Sequence, residues 1–206
     1  MATPSALRLV PPRADAQATS PVTPAGRTVE RSTPADDERV ARARAGDGVA
    51  FAEIVRRHQG SVFSLAWRML NSREQAEELA QDVFLQLHRS LGTIESADHL
   101  RYWLRRVVMH RAIDRVRQRA REPVSPMDEA PEPVAREAMS DPILIRRLTA
   151  AVAALTPTAR SVVLLRYQDD LDPTDIARVL DMPVNTVKSH LKRSLAALRS
   201  RWMGSR

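Results

Sequence analysis

From Phe51 to Leu198 the apolar residues of this chain return every three or four positions and seldom alternate every second one. Phe51, Ile54, Val55, Val62, Leu65, Ala66, Met69 and Leu70 trace one stripe, with His58 completing it. That is the spacing of one face of an α-helix, whereas a half-buried strand needs a period of two. Only 6 of 206 residues are glycine and aromatics make up 4%, so the core must come from Leu, Val, Ile and Ala. The expected fold is all-α, with Gly60 the weak point of its first long helix.

Breaks in the repeat divide the chain. Residues 1–35 carry Pro4, Pro11, Pro12, Pro21, Pro24 and Pro34 among Ala, Thr and Ser without periodicity, and read as a disordered tail. A helical block follows over 36–121. Within it Asn71-Ser72 interrupts the pattern, and Ser72 with Gln75 has capping-box spacing, so a new helix starts there. Its apolar face is Ala76, Leu79, Ala80, Val83, Phe84, Leu87 and Leu91. Gly92 to His99 reads as a polar loop. The next helix is expected from about Leu100 to Arg119, burying Leu100, Trp103, Leu104, Val107 and Val108. Residues 122–141 hold four prolines and six carboxylates against Arg136 alone, the composition of an extended acidic linker. A second block covers 142–206.

Several functions are excluded by composition. With no cysteine, the chain has no disulfide, thiolate metal site or cysteine nucleophile. No apolar run approaches the roughly 20 residues of a membrane span, and the N-terminus has no apolar signal stretch, so a cytoplasmic protein without membrane contact of its own is expected. His58, His88, His99, His110 and His190 are scattered, and no glycine-rich phosphate loop occurs. Catalytic residues, a metal site and a cofactor are therefore not expected. The net charge of +7 suits a polyanionic partner. Only Lys188 and Lys192 are lysines among 32 basic residues, an arginine bias that a GC-rich genome explains without any functional demand.

The last block has the punctuation of a helix-turn-helix. Thr156-Pro157 and Asp172-Pro173 each pair an N-cap with a first-position proline. The first opens a helix carrying Val162, Val163, Leu165 and Tyr167. The second opens a short one with Ile176, Ala177, Val179 and Leu180 inside. Asp181-Met182-Pro183 is the turn. Val184 to Ser200 forms the last helix, packing Val187, Leu191, Leu195 and Leu198 inward. Its opposite face carries Asn185, Lys188, Ser189, Lys192 and Arg193. Asn pairs with adenine and Lys or Arg with guanine or phosphate, as a helix entering the major groove requires.

Leu180 to Leu191 resembles region 4 of bacterial sigma factors of the extracytoplasmic-function (ECF) type, with Asp181, Asn185 and His190 departing from its commoner residues. Asn185-Thr186-Val187-Lys188-Ser189-His190 is also close to LuxR-type regulators. Gln75-Ala76-Glu77-Glu78-Leu79-Ala80-Gln81-Asp82-Val83-Phe84-Leu85-Gln86-Leu87 is similar to sigma region 2.2, and Leu100 to Arg117 to regions 2.3 and 2.4. The resemblance covers about Asp36 to Trp202.

This resemblance implies core RNA polymerase as partner, through the β′ clamp coiled coil and the β flap, together with promoter DNA and an anti-sigma factor. It assigns the β′ contact to the polar, acidic face of Glu77, Glu78, Gln81, Asp82 and Gln86. It assigns the −10 element to Thr93, Ser96, Arg101, Tyr102, Trp103, Arg105, Arg106, His110, Arg117 and Arg121, with Asp114 orienting neighbouring arginines. Thr174, Asn185, Thr186, Lys188, Ser189, His190, Lys192 and Arg193 would meet the −35 element. The acidic linker would thread the polymerase cleft. Trp103 lies on the apolar face, so core packing and base stacking both remain open for it. The implied function is promoter-specific initiation without catalysis. The alternative is a LuxR-type or other regulator that binds duplex DNA without polymerase.

Overall fold

The computed structural model describes residues 32–121 and 142–203. They form eight α-helices and one 3-10 turn, with no strand among the described residues: α1 (Pro34–Arg44), α2 (Gly48–Leu70), α3 (Arg73–Ser90), the turn Leu91–Thr93, α4 (Ala97–Arg119), α5 (Pro142–Ala153), α6 (Pro157–Tyr167), α7 (Pro173–Leu180) and α8 (Val184–Met203). The expected tail, up to residue 31, and the acidic linker lie outside the described residues.

Short side chains fix where each helix begins. Pro34 belongs to α1 rather than to the tail, because Thr33 donates its N–H and its hydroxyl to Asp36, at 3.1 and 2.9 Å. Asp36 is only 5% exposed and also accepts from Arg39 at 2.7 Å. The Thr33 backbone bond, opposed by burial and aided by the Thr33 hydroxyl and Arg39, holds its carboxyl at a pKa of about 2. Asp47 caps α2 through the N–H groups of Val49 and Ala50. The helix then runs unbroken through Gly60 to Asn71, which closes it in the left-handed region at φ 56°. Ser72 caps α3, accepting from the Gln75 N–H at 3.4 Å.

The segment before α4 is shorter and less polar than its composition indicates. Ile94 is fully buried, and Ser96 accepts the His99 N–H at 3.1 Å, so α4 starts at Ala97 rather than near Leu100. Asp37 of α1 accepts the Ala97 N–H at 2.8 Å and fastens that start to the first helix. In the second block Thr156 and Asp172 cap α6 and α7 as their spacing indicates. Asp170 and Asp181 both take φ 54°, a conformation Asp tolerates better than most residues. The last helix extends past Ser200 to Met203.

Buried residues form one continuous core. Helices α2, α3 and α4 pack on one another with α1 laid across α2 and α4, while α6, α7 and α8 form the second group. Helix α4 packs on α6 and α7, and α2 on α5 and α6, so the two groups close against each other. Arg160 lies in that junction, 7% exposed. It donates to the carbonyls of Met69 and Ala153, in the last turns of α2 and α5. Both are the negative ends of helix dipoles, the favourable place for a cation with no carboxylate. Burial lowers its pKa from the ordinary guanidinium value. Gln168 donates to the Ser64 hydroxyl at 2.8 Å across the same junction.

Candidate nucleic-acid interface

Helix α8 begins after a short helix and a tight turn. The left-handed Asp181 ends α7, and the Met182 N–H returns to the Ala177 carbonyl at 3.0 Å, which turns the chain abruptly into α8. Val187 is fully buried and Leu191, Leu195 and Leu198 are partly buried, so one face is held against the bundle. Asn185, Lys188, Ser189, Lys192 and Arg193 are exposed on the other face, as is Thr174 at the start of α7. Neither lysine makes an ion pair among the described residues, and Arg193 reaches only its own helix, at the Ser189 carbonyl. Thr186 and His190 are half-buried. Burial, aided by Arg193, lowers the His190 pKa, so the ring is neutral at neutral pH. The row Asn185, Lys188, Ser189, Lys192 is thus free to donate and accept along the outer face of the second helix of a helix-turn-helix.

Helix α4 is different. Its polar residues share a face, but that face is occupied. Tyr102 donates to the Arg178 carbonyl at 2.9 Å, Arg106 to the same carbonyl at 3.2 Å, and His110 Nε2–H to the Val179 carbonyl at 3.1 Å. Arg105 pairs with Asp169 at 2.6 Å, Arg106 lies 3.5 Å from Asp181, and Arg117 donates to Thr158 at 3.3 Å. Arg101 donates to Ser32 at 2.7 Å and pairs with Asp98. Thr93 bonds back to the Ser90 carbonyl, and Ser96 serves as the α4 cap. Arg121 is exposed beyond the helix end.

For α4 one open reading is narrowed and one expectation is corrected. Trp103, open between core packing and base stacking in the sequence, is 6% exposed and packed into the core. Asp114 is exposed and orients no arginine among the described residues. The carboxylates that do so belong to α3: Asp82 and Glu78 meet Arg115 at 2.8 and 2.9 Å, and Asp82 also meets Arg111 at 3.4 Å.

That pairing changes the acidic face of α3. Glu77 and Gln81 are exposed, but Glu77 pairs with Arg73 at 2.9 Å, and Glu78 and Asp82 face α4. Gln86 is half-buried, and its Oε1 is buried with no hydrogen-bond partner among the described residues. The exposed stripe is Glu74, Glu77, Glu78, Gln81 and Leu85, and Leu85 is 53% exposed. Sequence reading missed Leu85, although an apolar residue off the 76-79-83-87 stripe is the signal for it. It also missed the buried Arg160; Tyr167, on the same helix, is 61% exposed.

An exposed acidic stripe on α3, a polar, arginine-rich face on α4 and a helix-turn-helix in one small helical chain are the arrangement that the sequence resemblance to sigma factors implies. Two family models agree: Sigma-70 region 2 matches residues 54–122 and Sigma-70, region 4 matches residues 145–198. The chain is 30% identical over 164 residues to the ECF RNA polymerase sigma factor SigM of Mycobacterium tuberculosis, covering 79% of this chain and 82% of that protein. It is 27% identical over 177 residues to SigW of Bacillus subtilis, covering 79% and 94%. Among solved structures it is similar to the sigma factor RpoE of Bartonella quintana in complex with the anti-sigma factor NepR. That likeness has a TM-score of 0.61 and 18% identity, covering 76% of this chain and 98% of that one. The chain belongs to the ECF sigma factor family. It binds core RNA polymerase and directs promoter-specific initiation by recognising the −35 and −10 elements and melting the −10 region. Among the described residues no helix is long and apolar enough to cross a membrane.

Proposed function

We propose that the two helical blocks, residues 36–121 and 142–206, divide initiation between them. The C-terminal block holds the −35 duplex through Asn185, Lys188 and Ser189 at base edges and Lys192, Arg193 and Thr174 at phosphates. Thr186 and His190 shape the groove-facing edge. The observation that carries this reading is the free polar face of α8 beyond the Asp181 turn. The N-terminal block holds the opened −10 strand along α4, through Tyr102, Arg105, Arg106, His110, Arg117 and Arg121. Arg101, Thr93 and Ser96 flank the strand at the preceding turn, and Trp103 supports that face from the core. Melting then uses binding energy, by trapping the separated strand. Nucleotide addition belongs to the polymerase, so the chain itself is a non-catalytic subunit acting in the cytoplasm.

The polymerase meets α3 through Glu77, Glu78 and Gln81, with Asp82 and Gln86 at the edge of that face and Glu74 and Leu85 extending it. An exposed leucine ringed by acidic and amide groups suits a partner that presents arginine and an apolar contact together. The complex of the Bartonella relative with NepR supports an anti-sigma partner for this chain as well.

Run-off transcription with purified core polymerase on a promoter library, with permanganate footprinting of the bubble, tests this reading. New transcripts and a melted region should require both proteins. Duplex binding without any effect on the polymerase would instead make the chain a helix-turn-helix regulator.

A further inference from the structure

The turn that precedes α4 is held mostly by its own residues. Ile94 donates its N–H to the Leu91 carbonyl, Glu95 to the His99 ring at 3.3 Å, and His99 to the Ser96 hydroxyl. The Thr93 hydroxyl bonds back to the Ser90 carbonyl. One tether comes from far away. The Ala97 N–H is among the donors that a helix start cannot satisfy within the helix. It goes to the Asp37 carboxylate at 2.8 Å, sixty positions earlier in the chain. Ala97 is buried, so loss of that acceptor would orphan the donor. The carboxylate also faces the positive end of the α4 dipole. A second tether lies beside it, where Ser32 accepts from Arg101 at 2.7 Å.

The helix that carries Asp37 is itself well anchored. Val40 and Ala43 are buried, and Arg39 joins Asp36 at 2.7 Å to Glu53 of α2 at 2.9 Å. Helix α1 packs on α2, on α4 and on the turn Leu91–Thr93. A firm path thus runs from α2 through α1 to the place that presents Thr93, Ser96 and Arg101.

We propose that Asp37 is a positioning residue for −10 recognition, with α1 the brace that sets the turn before α4 against the strand. A carboxylate repels phosphate, so Asp37 acts through Ala97 and not by touching DNA. Base preference is the property most exposed to a loosened turn. Hydrogen bonds to base edges are short and directional, whereas attraction to phosphate falls off gradually. This inference rests on the reading of Thr93, Ser96 and Arg101 as −10 contacts.

Run-off transcription by the full chain with core polymerase, on templates randomised across the −10 and −35 elements, tests it. Asp37→Ala should lower transcription from the preferred −10 sequences about fivefold and flatten the base preference there, with the −35 preference unchanged. Asp37→Asn keeps an oxygen for the Ala97 N–H and should return to within about twofold of wild type. Asp47→Ala controls for stability. It removes the cap of α2 and lowers the thermal midpoint, yet it touches nothing at the turn, so its −10 profile should stay that of wild type. Thr93→Ala tests the underlying assignment. A −10 preference changed by Thr93→Ala but not by Asp37→Ala overturns the brace alone. No change in either variant overturns the brace and the assignment of the turn together. A profile altered as much by Asp47→Ala as by Asp37→Ala reduces Asp37 to general stability and also overturns the proposal. A change with Asp37→Ala and none with Thr93→Ala supports the brace and withdraws only the Thr93 contact.

Discussion

Helices α4 and α8 carry similar polar groups, yet one is stowed and the other is open. On α8 the two lysines, Asn185 and Ser189 meet solvent, and its inner face is a conventional apolar stripe. On α4 Arg105, Arg106, Tyr102 and His110 are bonded to carbonyls and a carboxylate about seventy positions away. Charge alone therefore does not identify a ready binding surface. What matters is whether the partners of that charge are water or protein, because a donor already bonded must give up that bond before it can hold a ligand.

The sharpest break in the comparison is Trp103→Ala. If the ring belongs to the core, the variant loses about 3–5 kcal/mol of stability in chemical denaturation. Tyr102→Phe, one residue away, should remain close to wild type in the same titration. Equal and small losses at both positions would return Trp103 to the binding face. Next in size is Asn185→Ala on α8, which should cost about 1–3 kcal/mol of discrimination at one position of the −35 element and little stability. Selection of run-off templates randomised at that element reads the relaxation directly.

A smaller effect comes from pH. Burial, reinforced by Arg57, Arg101 and Arg105, pushes the His58 pKa down to about 4. Between the ordinary value of 6.5 and that value the unfolded chain takes up a proton that the native ring refuses. Stability from this group is therefore complete above pH 6.5 and declines as the pH falls towards 4. By pH 5 the loss should reach about 1 kcal/mol, after allowing for the ring's partial contact with water. His58→Gln should flatten that slope in thermal melts. Smallest is Lys192→Ala, which should weaken promoter duplex binding uniformly across sequences and reduce the salt slope by about one.

Much of this was legible because the signals are local. Thr156-Pro157, Asp172-Pro173 and Ser72 mark helix starts through bonds spanning three residues or fewer. The turn at Asp181 was legible for the same reason. The polar face of α8 followed from the 3.6-residue period alone. The closure of the two halves on each other was not legible, because Arg160, Tyr102, Arg106 and His110 all bond to main-chain oxygens, which every residue carries and no side chain advertises. Ile94 was misjudged for a related reason. Its burial is set by elements that arrive from elsewhere in the chain, not by its neighbours in sequence.

The reliance of the closure on the carbonyls of Arg178 and Val179 has an evolutionary consequence. A contact to main-chain oxygen is indifferent to the side chain that stands there. Substitutions along the outer face of the helix-turn-helix can retarget the promoter without altering how that half is packed, and positions 178 and 179 need not covary with Tyr102, Arg106 or His110. Specificity and packing can then drift independently, which would let duplicated copies of such a gene acquire new promoters while each retains the same fold.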